Sequence, residues 1–466
     1  MIRLFRQYIS LRKTIFVFGE GILIYFAVIL ASFFLLDWDI GLIDLIEMIW
    51  AKTLLVAIVT QISLYFSDLY EFKMDDDLIG VATHLIQSIG VTSIILAIIY
   101  FLIPDVIIGR WIFFFSVLFL LLFLVSWRLL YTVIITRRLF SEKTLIIGCG
   151  ELAQGILEEI HNRKDISYDI RSIINPTPED QNLKNQLNGI QVCSGFENLY
   201  ELAKTEDVDS IIVALDQKRG IMPYQELLNC KLNGINIIDG ESFYERITGK
   251  LLVEKINPSW LIFSDGFIKS RTSRFTKRLV GLILSIIMFI SLFPLIILVA
   301  ITIKLESAGP VFFSQERVGE DGKTFTLYKF RSMRSNAEEK TGPVWAENDD
   351  PRVTRVGKII RKLRIDELPQ LWNVLKGDMS FVGPRPERPF FVERLKSIVP
   401  YYNERQTVKP GVTGWAQVRY PYGATDEDAL EKLKYDLYYI KNMSIVMDFI
   451  VIFQTVKIVL LGRGSR

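Results

Sequence analysis

The sequence predicts a membrane α-helical bundle, then a Rossmann-like α/β domain, then a small α/β domain that carries a re-entrant membrane helix. Three observations indicate this order: four apolar runs fill the first third of the chain, a strand–glycine–helix pattern follows, and a proline interrupts a fifth apolar stretch. The chain has 466 residues, of which 50% are hydrophobic and 23% charged, and its mean hydropathy is +0.30. Such an apolar composition excludes an ordinary soluble enzyme and a disordered chain.

Charge and residue counts exclude several functions. The net charge is only +2, so no general basicity favours a nucleic-acid partner. The three cysteines are too few and too scattered for a disulfide framework or a cysteine-rich metal site. Because the chain has only two histidines, chemistry built on histidine is not expected.

The first domain, residues 1–140, is predicted to cross the membrane four times. Its apolar runs are each close to the roughly 20 residues that a membrane-spanning helix needs, and they lie at about 14–36, 42–66, 82–103 and 111–135. Basic residues flank both ends, which places both ends in the cytoplasm by the positive-inside rule. They are Arg3, Arg6, Arg12 and Lys13 before the first run, and Arg137 and Arg138 after the fourth. An acidic loop, 68–77, would also lie inside, although acidic residues weigh little in this rule.

The second domain, residues 141–255, is predicted to have a Rossmann-like fold. Residues 144–147 are typical of a buried strand, and the glycine turn at 148–150 opens a helix. Further apolar runs at 210–215 and 234–238 alternate with helical patterns, as in a doubly wound sheet.

A glycine turn of this kind can bind a dinucleotide pyrophosphate at the helix N-terminus, but other residues do not favour NAD chemistry. The second strand ends at Asn175, where an acidic residue would hold a ribose. The pair Tyr200 and Lys204 follows the glycines too closely for a short-chain dehydrogenase site. We therefore interpret this domain as a structural or regulatory nucleotide-like fold.

The third domain, residues 265–466, begins with a membrane segment that has basic flanks on both sides. The apolar stretch at about 279–303 contains Pro294 and is followed by Lys304. A helix that breaks at the proline and returns to the same face places both flanks in the cytoplasm, whereas a kinked fifth span is the alternative. Near the C-terminus, about 445–461, charged and polar residues interrupt an apolar pattern, which indicates an interfacial helix. The basic residues before the stretch are Lys269, Arg271, Arg274, Lys277 and Arg278.

Between about 305 and 444 the chain carries dense motifs. They read Gln-Glu-Arg-Val-Gly at 315–319, Tyr-Lys-Phe-Arg-Ser-Met at 328–333, Asp-Glu-Leu-Pro-Gln-Leu-Trp-Asn-Val at 366–374, Gly-Asp-Met-Ser-Phe-Val-Gly-Pro-Arg-Pro at 377–386 and Lys-Pro-Gly-Val-Thr-Gly at 409–414. This region resembles the catalytic domain of bacterial polyprenyl-phosphate sugar-1-phosphate transferases, the monotopic phosphoglycosyltransferases. Four spans and a nucleotide-fold domain ahead of it are similar to the large members of that family, so the resemblance covers essentially the whole chain.

The resemblance implies a reaction that initiates exopolysaccharide, O-antigen or capsule assembly. A sugar 1-phosphate passes from a UDP-sugar to polyprenyl (undecaprenyl) phosphate with Mg²⁺, giving polyprenyl-diphosphate-sugar and UMP through a covalent aspartyl intermediate. The family motif maps the nucleophile onto Asp366 and the metal-binding carboxylate onto Glu367. It also implies a multi-pass protein of the bacterial inner membrane with a cytoplasmic catalytic domain, and a possible homodimer. Phe293 precedes Pro294 where smaller relatives carry serine.

The residue chemistry agrees with these roles. A carboxylate can attack phosphorus while a second one holds the hard cation that neutralises a diphosphate. A basic stripe at 352–362 would meet phosphates of the substrates or of membrane lipid. The substrate-binding residues predicted here are Arg361, Arg385, Lys329, Arg331, Pro384 and Pro386.

Two other functions stay open on the sequence. One is a membrane-anchored, NAD-dependent nucleotide-sugar dehydratase or epimerase that uses the second domain. The other is a non-catalytic scaffold of a polysaccharide assembly complex. The sugar that is transferred cannot be read from these motifs.

Overall fold

The computed structural model describes residues 2–4, 7–9, 11–35, 42–70, 78–137, 141–162, 168–175, 191–196, 198–218, 220–255, 266–267, 270–334, 350–420, 423 and 425–462. Apart from a few N-terminal residues, these form two compact units that divide the chain between Phe243 and Tyr244. The acidic loop after Tyr70, the linker at 257–258 and Lys269 lie outside or largely outside the described residues.

The first unit starts with two short paired strands, β1 (Ile2–Leu4) and β2 (Gln7–Ile9), and continues with four helices. All four helices are long enough and apolar enough to cross a membrane. Fully buried Glu20 pairs with Arg128 at 2.8 Å, which links the first helix to the fourth. The helices are α1 (Leu11–Leu35), α2 (Leu42–Phe66), α3 (Leu78–Leu102) and α4 (Arg110–Thr136).

A five-stranded parallel sheet follows in the same unit, in the order β5-β4-β3-β6-β7. The first strand in sequence lies at the centre and the chain reverses direction beside it, as in a doubly wound Rossmann-like fold. The predicted fold of this domain is therefore confirmed. Its strands are β3 (Glu142–Ile147), β4 (Tyr168–Asn175), β5 (Gln191–Ser194), β6 (Ser210–Val213) and β7 (Asn236–Asp239), and its helices are α5 (Glu151–Asn162), α6 (Leu199–Thr205) and α7 (Tyr224–Leu232).

Other residues of the chain occupy the space around the glycine turn after β3. Gly148 has a φ of +121°, and a Cβ there would lie 2.3 Å from the carbonyl oxygen of Ala214, so only glycine fits. The Asp216 carboxylate accepts hydrogen bonds from the amides of Glu151 (3.0 Å) and Leu152 (3.3 Å). These amides form the N-terminus of α5, where a dinucleotide phosphate would otherwise bind.

The helix α8 (Gly240–Thr248) contains the boundary between the units, and a bent helix pair comes next in the second unit. It consists of α9 (Arg271–Ser291) and α10 (Phe293–Glu306), whose axes differ by 62°. The break lies at Leu292, directly before the proline-containing first turn of α10. Proline lacks the amide that would continue the helical hydrogen bonds, which explains a break at this point.

The rest of the second unit is a small α/β arrangement. Strands β8 (Phe312–Val318) and β9 (Thr324–Phe330) are antiparallel, whereas β10 (Ser380–Val382) and β11 (Gly411–Thr413) are parallel. Six helices complete the described part of the unit: α11 (Arg355–Lys362), α12 (Gln370–Lys376), α13 (Pro389–Ile398), α14 (Trp415–Arg419), α15 (Asp426–Lys441) and α16 (Ile445–Leu460).

The core of the second unit extends further towards the N-terminus than the sequence predicts. Leu251 and Val253 are 2% and 1% exposed and belong to the cluster that also holds Leu437 of α15. The Trp415 indole donates to the carbonyl oxygen of Gly249 at 2.8 Å. Residues 244–255 therefore pack as part of the C-terminal unit, although the sequence predicted that the Rossmann-like domain continues to 255.

The helix predicted to lie at the membrane interface, α16, is tied to the bent helix pair. The Lys277 ammonium of α9 donates to an Asp448 carboxylate oxygen of α16 at 2.7 Å. The hydroxyl of fully buried Tyr439 donates to the other oxygen, also at 2.7 Å. The two helices therefore share a buried polar contact.

Candidate active site

A one-turn helix presents two adjacent carboxylates, Asp366 and Glu367, to a cavity in the second unit. Arg364 has a φ of 54° and turns the chain between α11 and this helix. The flanking residues Ile365 and Leu368 pack against the buried apolar cluster at the end of α10. Because both apolar neighbours are anchored, the two carboxylates face the cavity.

The Glu367 carboxylate is surrounded by cations. Its Oε1 atom accepts from Lys329 Nζ at 3.0 Å and from Arg385 Nη2 at 2.9 Å, and its Oε2 atom lies 3.8 Å from an Arg364 nitrogen. Burial opposes ionisation of this side chain, but Lys329, Arg385 and Arg364 together outweigh it and hold the pKa of Glu367 well below its usual range. Glu367 is therefore an anion.

Asp366 lies in a different electrostatic environment. Burial raises its pKa to about 6, against the attraction of Lys329, and the neighbouring Glu367 charge raises it further. Arg385 and Arg361 act in the opposite direction. Two adjacent carboxylates with pKa values shifted apart are typical of groups with different chemical roles.

The cavity has a volume of about 520 Å³ and is strongly basic. Its acidic lining residues are Asp366, Glu367, Glu387 and Asp436. Eleven cationic side chains face these four, so a diphosphate would be attracted into the cavity. They are Arg317, Lys329, Arg331, Arg334, Arg352, Arg361, Arg364, Arg385, Arg388, Arg405 and Lys432.

The Pro-Arg-Pro turn after β10 brings Arg385 to Glu367. Pro384 and Pro386 lack amide hydrogens but offer carbonyl oxygens, which accept from the Gly411 amide (2.9 Å) and from Arg317 Nη1 (3.1 Å). These two predicted binding residues thus shape the turn, and the Arg385 side chain reaches the carboxylate. Pro384 and Pro386 themselves lie beside a smaller neighbouring pocket.

Arg331, a predicted substrate-binding residue, also has a structural contact. The side chain reaches the cavity wall, but its guanidinium donates to the carbonyl oxygens of Ser307 (2.8 Å) and Ala308 (2.7 Å) and to the Ser307 hydroxyl. Its contacts hold the loop that follows α10. The neighbouring Lys329, in contrast, contacts Glu367 as described above.

The predicted basic stripe is only partly helical. The helix α11 begins at Arg355, so Arg352 lies before it and donates to Asp350 at 2.8 Å. Arg361, in the last turn of α11, lines the cavity as predicted. Three further basic side chains of the stripe are exposed: Arg355, Lys358 and Lys362.

Six basic cavity residues have no role predicted from the sequence: Arg317, Arg334, Arg364, Arg388, Arg405 and Lys432. Arg317 belongs to the 315–319 motif, whose residues indicate no particular role. Arg364 directly precedes the Ile-Asp-Glu turn. Arg405 and Lys432 lie in no motif, and only the packing of the third domain brings them to the cavity.

The carboxylate pair fits Mg²⁺ by the chemistry of its donors. Both side chains offer hard oxygen atoms, and Glu367 is anionic. Among the described residues no group of three or more acidic, histidine or cysteine side chains is placed to hold a metal ion. Mg²⁺ is commonly held by one or two carboxylates together with substrate phosphates and water, so the Glu367 carboxylate would be sufficient.

The described residues thus combine apolar helices long enough to cross a membrane with a basic cavity that holds two adjacent carboxylates. Residues 272–462 match the family described as bacterial sugar transferase, and residues 66–222 match the family described as CoA-binding domain. The chain is 31% identical to the undecaprenyl-phosphate galactose phosphotransferase of Salmonella typhimurium over 346 residues, which are 70% of each protein. The chain belongs to the family of polyprenyl-phosphate sugar-1-phosphate transferases, an enzyme family.

Two further relatives have shorter or less complete alignments. The UDP-N-acetylgalactosamine-undecaprenyl-phosphate N-acetylgalactosaminephosphotransferase of Aeromonas hydrophila is 43% identical over 240 residues, 52% of this chain and 56% of that protein. The undecaprenyl-phosphate glucose phosphotransferase of Komagataeibacter xylinus is 33% identical over 344 residues, 72% of this chain and 62% of that protein. The aligned region thus spans somewhat more than half the length of these two proteins.

Proposed function

We propose that this protein transfers a sugar 1-phosphate from a UDP-sugar to polyprenyl phosphate, releasing UMP, as the first step of exopolysaccharide, O-antigen or capsule assembly. The observation that carries the proposal is the pair of carboxylates in a basic cavity, with Glu367 held by Lys329 and Arg385. The names of the relatives above agree with this reaction class. They mention galactose, N-acetylgalactosamine and glucose.

The reaction would proceed in two displacements. An Asp366 carboxylate oxygen attacks the phosphorus that carries the sugar, and the bond to the leaving UMP oxygen breaks. An oxygen of the polyprenyl phosphate then attacks the same phosphorus and displaces Asp366, giving polyprenyl-diphosphate-sugar. The Lys329 and Arg385 side chains lie beside the carboxylates, where they stabilise negative charge on the phosphoryl oxygens.

Glu367 would hold Mg²⁺ together with the diphosphate. The bound cation would supply charge neutralisation for the diphosphate and its leaving group. The protein side chains of the cavity orient the substrate and keep the nucleophile beside the phosphorus.

The test of this function is UMP release. The purified protein in detergent, with Mg²⁺ and polyprenyl phosphate, is expected to form UMP from at least one member of a panel of UDP-galactose, UDP-glucose and UDP-N-acetylgalactosamine. The sugar that supports the highest rate identifies the donor. A scaffold would release UMP from none of them. A dehydratase or epimerase would not release UMP either, because it leaves the diphosphate intact.

The NAD-dependent alternative has less support. The strand β4 ends at Asn175, and Asp216 takes the α5 amides that a dinucleotide phosphate would need. Release of NAD from the denatured protein would favour this alternative. A protein without releasable NAD that forms UMP would exclude it.

We further propose that α9 and α10 enter and leave the membrane on the cytoplasmic face. Near the start of the pair, an Arg278 nitrogen donates to the Leu375 carbonyl oxygen at 2.8 Å. At its end, the Glu306 carboxylate accepts from the Val356 amide at 3.1 Å. Leu375 and Val356 belong to the same compact unit, which supports one face for both ends. A homodimer in the inner membrane stays a prediction.

Cysteine labelling distinguishes this topology from a fifth span. In a cysteine-free background, Arg274→Cys and Lys304→Cys are both expected to resist an impermeant thiol reagent added to intact cells. Both should react after permeabilisation, because both native side chains are exposed. Labelling of Lys304→Cys alone in intact cells would establish a kinked span and rule out the re-entrant helix.

A further inference from the structure

Arg405 lies outside every motif in the sequence, yet its guanidinium contacts the Pro-Arg-Pro turn and two buried side chains. Its Nη2 atom donates to the main-chain carbonyl oxygen of Arg385 at 2.9 Å and to Asp436 Oδ2 at 2.9 Å. Its Nη1 atom donates to the Tyr402 hydroxyl at 2.6 Å. The guanidinium thus contacts the turn, a buried carboxylate and a buried phenol at once.

The Arg405–Asp436 pair is buried and therefore costly unless its geometry is well satisfied. Its side chains are 10% and 2% exposed. Asp436 lies on α15 beside Leu437 and Leu433, which are fully buried in the core of the unit. Breaking a buried ion pair is strongly destabilising because it leaves a buried charge uncompensated, and here the pair holds the Arg405 guanidinium to a helix that is buried in the core.

The main chain of Arg385 depends on this guanidinium. The carbonyl oxygens before and after it already accept from Gly411 and Arg317, and Arg405 supplies the donor for the middle one. The Arg385 side chain is 42% exposed, and the hydrogen bond to Glu367 is its contact with the carboxylate pair. A long, partly exposed side chain keeps one orientation only if its backbone is fixed.

We propose that Arg405 is a positioning residue for the transfer reaction. Held by Asp436 and Tyr402, it fixes the backbone of Arg385, so that the Arg385 guanidinium stays at Glu367 and faces the diphosphate. This role rests on the proposed function. Arg405 acts through Arg385 and not by contact with the substrate.

The first test measures UMP release by three variants of the full-length protein. One changes Arg405, and the other two change one buried carboxylate each. Arg405→Lys keeps the positive charge but has no planar fork for three acceptors, and kcat for UMP release is expected to fall roughly 10- to 100-fold, as for a displaced catalytic group. Asp436→Asn keeps an acceptor and is expected to give a smaller loss. The matched control is Glu245→Gln, because Glu245 and Lys441 form a second buried pair at 2.6 Å that does not line the cavity.

A double-mutant cycle tests the route through Arg385. If Arg405 acts through Arg385, Arg405→Lys costs little further activity in an Arg385→Lys background, since coupled residues are non-additive. Should Arg385→Lys have no measurable turnover, the same cycle is measured on the affinity for UDP. A purely structural residue, or one that contacts the substrate directly, would show its full penalty in both backgrounds.

Three results would overturn the proposal: native activity in Arg405→Lys, an undiminished penalty in the Arg385→Lys background, or equal losses in Asp436→Asn and Glu245→Gln. Thermal unfolding of each variant separates loss of activity from loss of fold. If Arg405→Lys does not fold, Asp436→Asn carries the cycle. A native protein that releases no UMP from any UDP-sugar would instead contradict the proposed function.

Discussion

Asp366→Asn is expected to abolish UMP release, with a loss of at least about 10⁴-fold because the nucleophile is removed. The amide is a poor nucleophile and cannot form the aspartyl phosphosugar. The measurement is a single-turnover assay with UDP-sugar and Mg²⁺ but without polyprenyl phosphate. Under these conditions the native protein should release at most about one UMP per active site, because the covalent adduct waits for its acceptor.

Glu367→Gln should behave differently in the same assay. The amide still accepts hydrogen bonds from Lys329 and Arg385, but it no longer balances their charge or holds a cation. We expect slow UMP release, reduced roughly 10²- to 10³-fold, which rises with Mg²⁺ concentration. The two variants would thus differ in the kind of defect as well as in its size. Loss of the nucleophile abolishes UMP release, whereas loss of the metal ligand makes the release slow and dependent on Mg²⁺ concentration.

The control for these variants is Asp378→Asn, which changes a carboxylate of the same unit that does not line the cavity. It should release UMP at the native rate. If Asp366→Asn also does so, or if the native protein releases UMP only after lipid is added, polyprenyl phosphate attacks the UDP-sugar directly. The covalent mechanism would then be wrong.

Removing residues 244–255 is expected to destabilise the C-terminal unit strongly. Leu251→Ala alone should cost about 2–5 kcal/mol, as for other buried leucines, and a chain that begins at 265 loses Val253 and the Gly249 contact with Trp415 as well. A chain that begins at 265 should therefore unfold at a markedly lower temperature in detergent than one that begins at 240. The measurement is thermal unfolding, with tryptophan fluorescence as the signal.

Ile398→Ala is the control for Leu251→Ala, because Ile398 is in the same unit and 53% exposed. It should change the unfolding temperature little. Equal unfolding temperatures for the chains that begin at 240 and at 265 would show that the segment is dispensable. The domain boundary predicted from composition would then be adequate for this unit.

Much of the fold follows from patterns that act locally. Apolar runs of membrane-spanning length and the strand–glycine–helix turn each depend on a short stretch of sequence, and the structure confirms both. The boundary at 244 does not follow from such a pattern. Leu251 and Val253 are ordinary apolar residues, and only their packing against α15 assigns them to the C-terminal unit.

The residues of the candidate site also fall into two groups: those that a sequence motif reveals and those that only packing brings to the site. The adjacent carboxylates and the Pro-Arg-Pro turn are contiguous in sequence, so a motif reveals them. Arg405 lies 20 residues after Arg385 and in no motif, and it contacts the turn through a backbone carbonyl, which no residue pattern encodes. Arg331 shows a contact that its motif does not encode, since its guanidinium binds the loop after α10 while the side chain lines the cavity.

The contact between Lys277 and Asp448 joins α9 to α16. If both helices lie in the membrane as predicted, a change in bilayer thickness that tilts α9 would be transmitted to α16, because separating them would break an ion pair between two largely buried side chains. The helices α9 and α16 would move together and carry the cavity with them. The two carboxylates would keep a constant geometry relative to one another. Lipid composition would thus affect the depth of the active site in the membrane more strongly than it affects the shape of that site.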